Sequence, residues 1–71
     1  MKYEYACIEQ HLYHEDIGNY ISYGIFLTSD TAVRVDDVST DYEFVKDLVF
    51  LVNEHQASPT HLLDIIEDFL P

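Results

Sequence analysis

One cysteine in the whole chain, Cys7, excludes an intramolecular disulfide and fits a reducing compartment. Two glycines leave no glycine-rich loop to cradle a phosphate. Basic residues are nearly missing too: Lys2, Arg34 and Lys46 stand against fourteen acids, for a net charge of −11. A polyanion of this kind repels nucleic-acid backbones and anionic membrane surfaces, so direct binding to either is not expected. No apolar run approaches membrane-spanning length, and "MKYEYACIEQH" is interrupted by acids where a leader would be apolar. The expected setting is cytoplasmic. No G-x-S-x-G elbow or H-E-x-x-H motif occurs, and of the nucleophile candidates Cys7, Ser22, Ser29, Ser39 and Ser58, two read as helix caps and one sits in a turn. The chain reads as a non-enzyme without a cofactor.

What is present suffices for a fold. Hydrophobic residues make up 48% of the chain and ten residues are aromatic, which separates it from acidic disordered tails. At 71 residues there is room for a single domain, 1–71. Area scaling gives about 4,600 Å² exposed when folded against about 12,000 Å² unfolded, a burial near 60% that leaves little margin.

Alternation marks three strands, at about 3–14, 20–28 and 32–38. Gly18 and Asn19 tolerate positive φ and place a turn after the first strand; "SDT" (29–31) places the second. In the middle strand Ile21, Tyr23, Ile25 and Leu27 form the cleaner apolar face, joined by Val33 and Val35. Gly24 opposite them signals a bulge or a close backbone approach. The period then changes to that of a helix. Thr40 and Glu43 have capping-box spacing, with Ser39 as the other possible cap. Phe44, Val45, Leu48, Val49 and Val52 make the stripe of a helix at about 41–55, which Phe50 and Leu51 widen. Ser58 and Pro59 open a second helix at about 59–70, with Leu62, Ile65, Ile66 and Phe69 facing inward. The fold class is α+β: a three-stranded antiparallel meander, then an antiparallel helical hairpin on one sheet face.

The blocks "SYGI" (22–25), "VDDVSTD" (35–41) and "LVNEHQASPTHLLDIIEDFLP" (51–71) resemble a family of short bacterial proteins of unknown function. That resemblance implies no activity and no catalytic residue.

Two histidine groups are candidate metal sites. His61 and Asp64 are one helical turn apart and His55 lies across the connection, but the set lacks a thiolate and a His-x₃-His pair. The structural alternative places His55 near a helix C-terminus, where a cation suits the dipole. His11 and His14, beside Glu15 and Asp16, point to opposite faces of a strand. The better lead is the sheet. If helices cover one face, Tyr20 and Phe26 lie on the other, and Tyr3, Tyr5 and Tyr13 are expected to join them. Such an aromatic surface suits a homodimer or a protein partner, and an unpaired edge strand gives a further route to a dimer. The alternative function is nucleic-acid mimicry, with the acids blocking a basic DNA- or RNA-binding protein. Acids spread over strands, turns and helices read more simply as a solvated exterior.

Overall fold

The computed structural model describes residues 2–70 and has the α+β order expected. Strands β1 (Tyr5–His14), β2 (Gly18–Leu27) and β3 (Asp30–Ser39) form one antiparallel sheet in the order β1-β2-β3. Helices α1 (Tyr42–Glu54) and α2 (Pro59–Phe69) follow and pack on it.

The β1–β2 register runs unbroken from Tyr5 opposite Leu27 to His14 opposite Gly18. Three residues, Glu15 to Ile17, make the loop, and Gly18 takes φ +76°, the left-handed position that a loop of this length closes with. β3 is less regular. Ile25 faces Val35 and Tyr23 faces Ser39, so Asp36, Asp37 and Val38 together lie opposite Gly24 alone. Asp37 adopts φ 52° to make that bulge. A Cβ on Gly24 would lie 2.7 Å from the Val35 carbonyl oxygen, which is why only glycine fits there.

The core lies between one sheet face and the helices. It holds Tyr5, Ile25, Leu27 and Val38 from the sheet, Val45, Leu48 and Val52 from α1, Ala57, and Leu62 and Ile66 from α2. The middle-strand face is as expected at Ile25 and Leu27, but Ile21 on the same face is 47% exposed; both helix stripes are as expected in kind, with these corrections. Phe50 is 67% exposed and Phe69 51% exposed, so α1 is buried on one side only and the buried α2 stripe ends at Ile66. The α1 cap is Asp41, whose Oδ1 accepts from the Phe44 N–H, and neither Thr40 nor Ser39 fills that role. Ser39 instead accepts from the Asp41 N–H. Ser58 precedes Pro59 as expected, with extended backbone but no side-chain cap bond.

The helices cover only one end of the ribbon. Beyond Tyr23 opposite Ser39 there is no β3 register partner, and past the buried Ser22 residues 18–21 and their β1 partners extend as a two-stranded arm. The principal extents of 42 × 24 × 18 Å record that arm. The radius of gyration, 12.3 Å, exceeds the roughly 11 Å usual for this length for the same reason.

Candidate interaction surface

Strand parity decides which residues share a face. Tyr5, Cys7, Glu9, His11 and Tyr13 stand opposite Leu27, Ile25, Tyr23, Ile21 and Asn19, so they belong to the helix-covered side. Tyr5 is 2% exposed, and its hydroxyl donates to the Ala57 carbonyl at 2.5 Å. Tyr3 packs partly buried against the same core. Tyr13 has the same parity but lies out on the arm, 69% exposed. The structure thus keeps Tyr20 and Phe26 on the helix-free face and removes Tyr3, Tyr5 and Tyr13 from it. Composition could not show this, since either parity of β1 carries apolar residues.

The helix-free face is made instead by Ala6, Ile8, Gln10 and Leu12 of β1 with Tyr20, Ser22, Gly24 and Phe26 of β2. Ala6, Ile8, Leu12 and Phe26 lie outside the core cluster, and Ile8 is 37% exposed. A polar clasp runs across the middle. Gln10 reaches over Gly24, accepting from the Asp37 N–H at 2.8 Å and donating to Asp36 Oδ1 at 2.7 Å. The Asp37 carboxylate accepts from the Ser22 hydroxyl and from the Tyr20 phenol. Ser22, fully buried, is the polar residue this clasp satisfies. The bond to Asp37 holds the Tyr20 proton and raises its pKa, with burial a smaller cause. Arg34 pairs with Asp36 at 3.3 Å beside the clasp. The face is therefore apolar with an acidic border, not a continuous aromatic sheet.

One edge of the ribbon is partly sealed by side chains. The Asn53 amide accepts from the Tyr5 N–H at 2.7 Å and donates to the Tyr5 carbonyl at 3.0 Å. Gln56 does the same for Tyr3, both bonds 3.0 Å. Each primary amide occupies the donor and acceptor of one residue as a neighbouring strand would. Gln56 takes φ 49° in the helix connection to reach that position. The sequence signal for this pair was faint: two amides five or fewer residues from a helix end.

The remaining candidates do not converge. His55 is the C-cap of α1, and His61 and Asp64 are exposed on α2. Among the described residues, no three His, Cys, Asp or Glu side chains form a metal-holding group. His11 bonds Glu9 at 2.9 Å, and His14 accepts from the Asp16 N–H. Ser22 and Ser39 are engaged as described, and burial pushes the Cys7 thiol up, away from thiolate reactivity.

These features define a small acidic α+β protein with one helix-free sheet face and a partly sealed edge. The chain belongs to a family of unknown function, DUF6514, whose profile matches residues 1–71. No curated protein and no solved structure matches it. No helix among the described residues is long and apolar enough to cross a membrane.

Proposed function

We propose that this is a non-catalytic association protein of the cytoplasm, docking through its helix-free sheet face onto a protein partner. One observation carries the reading: Ala6, Ile8, Leu12 and Phe26 share a face with no helical layer over it. A sheet face left open in this way is a contact surface in waiting. The acidic border sets the partner's chemistry. Asp36 and Asp37 lie beside the apolar residues, and the chain carries −11 overall, so the complementary surface is apolar with a basic rim. Cytoplasmic residence is supported by the single free cysteine.

The test is site-specific photocrosslinking in the native host, with the crosslinker at Ile8, at Phe26, and at Glu67 on the exposed side of α2. A common adduct from the first two positions, absent from the third and weakened by salt, is the expected result. Equal adducts from all three positions would sink the docking face. Ile8→Ser should lower capture while leaving thermal stability within about 1 kcal/mol, because Ile8 lies outside the core and is 37% exposed.

A further inference from the structure

The open remainder of the β1 edge points to a second, separate contact. We infer that a second copy of this chain adds to β1 antiparallel across a two-fold axis, with Glu9 of each copy opposite His11 of the other and Cys7 opposite Tyr13.

The backbone of an edge strand alternates between groups turned to its neighbour and groups turned outward. Tyr3 and Tyr5 turn outward, because their N–H and C=O groups meet Gln56 and Asn53 and not β2. By the same alternation Cys7, Glu9, His11 and Tyr13 present their backbone groups to the outside. No proline or bulge interrupts them, and the register with β2 is continuous throughout. This is a template for strand addition at four consecutive outward positions.

Charge and length select the occupant and its register. Pairing outward residues with outward residues leaves three compact choices. Centring the axis on Glu9 puts Glu9 against Glu9, and it lays Tyr13 of the second copy over Tyr5, where Asn53 already sits. Centring it on His11 sets His11 against His11 and discards the Cys7 position. Centring it on Gln10 sets Glu9 against His11 twice, and these two side chains already attract within one copy at 2.9 Å. A carboxylate facing a hydrogen-bonding partner across a strand pair stabilises it, and two carboxylates face to face destabilise it. In this last register the second copy's strand ends at His14, just as its turn comes level with the sealed Tyr5. About eight backbone hydrogen bonds then close the seam. The result is a six-stranded sheet whose two helix-free faces run together, with Ile8 and Leu12 of both copies beside the seam.

Sedimentation equilibrium on the full chain, from low to high micromolar, reads the association. Wild type should dimerise, and more tightly as salt screens two chains of like charge. His11→Pro removes an outward N–H and no β1–β2 bond, so it should be monomeric with its melting retained. His11→Glu alone should weaken the dimer about tenfold, whereas Glu9→His with His11→Glu restores the crossed pairs and the affinity. Tyr13→Cys, facing Cys7 of the other copy, should crosslink to a covalent dimer under mild oxidation, and wild type should not. A wild type monomeric throughout overturns the inference, as does a double variant no tighter than His11→Glu, or wild type crosslinking through Cys7 alone. Photocrosslinking at Ile8 with the His11→Pro monomer separates the two readings, since docking to a basic partner survives loss of the dimer.

Discussion

Replacing Tyr5 with phenylalanine removes a single oxygen from the core, and the structure gives that oxygen a specific duty. The Tyr5 hydroxyl donates to the Ala57 carbonyl in the connection between α1 and α2, where Ala57 is 5% exposed. Phenylalanine keeps the ring contacts with the core but leaves that carbonyl without its donor and with little access to water. Leaving a buried acceptor unsatisfied costs about 1–3 kcal/mol. The chain's whole stability should be about 4–10 kcal/mol, so the loss is a large share. At about 2.1 cal/mol/K per residue, unfolding 71 residues carries an entropy of roughly 150 cal/mol/K. A cost near 1.5 kcal/mol then lowers the melting temperature by about 10 °C. Thermal melts and urea titrations followed by circular dichroism measure both quantities, and the urea slope should not change. Tyr13→Phe, on a residue 69% exposed, is the matched control and should move neither. If Tyr5→Phe melts within a degree or two of wild type, the hydroxyl is not what ties the helix connection to the sheet. The same reasoning makes Tyr5→Ser unusable as a probe of partner binding, since it would report on folding.

Other perturbations test other parts of the structure. Gly24→Ala drives a methyl into the Val35 carbonyl at 2.7 Å and the Gln10 amide oxygen at 2.9 Å, and should cost about 1–3 kcal/mol in a urea titration. Asn53→Leu strips both bonds from the Tyr5 backbone, and should cost about 1–3 kcal/mol and speed hydrogen exchange at the Tyr5 amide. Stability should also fall in alkali. The Tyr5 phenol is raised by burial and next by Tyr3, and the Tyr20 phenol by its bond to Asp37. A phenol that holds its proton more tightly when folded contributes fully below the unfolded value near 10, and that contribution is lost as pH rises through the folded value. Melts across pH 8 to 12 should therefore decline at the top of that range, and less steeply in Tyr20→Phe.

The fold was legible because its elements announce themselves locally. Ile25 and Leu27 alternate, Val45, Leu48 and Val52 recur at helical spacing, and Gly18 and Pro59 punctuate the chain. Gly24 was also readable as a close approach, although the residues that approach it were not. The site was much less legible. The stretch 3–14 carries tyrosines at Tyr3, Tyr5 and Tyr13 and apolar residues at Ala6, Ile8 and Leu12, so both parities look greasy and the sequence offers no local rule for choosing. The choice is made at long range, by Asn53, Gln56 and Ala57 some fifty residues away, which hold the Tyr3 and Tyr5 end under the helices. Such tertiary contacts leave no periodic trace. Nor do the Asp36 and Asp37 bulge and its clasp, because an Asp-Asp pair in a strand reads as surface until the register is known.

The two edges of the sheet differ in a way that bears on how far association can run. An added strand that itself exposes a free edge invites the next, and the outcome is a fibre rather than a dimer. Here the β1 edge would be consumed by the two-fold, leaving only β3 on each side. β3 carries Asp30, Arg34, Asp36 and Asp37, and its register slips on both sides of the Ile25–Val35 pairing. Asp37, held at φ 52° by its bonds to Ser22 and Tyr20, bends that strand out of the flat extended form that another strand needs. Charges and bulges on an outer strand are the usual protection against further pairing. A smooth edge on one side and a broken one on the other make a closed pair the natural end point. Relaxing the bulge by Asp37→Ala should then be the change that produces larger assemblies, whereas equal changes at Glu9 or His11 should produce smaller ones.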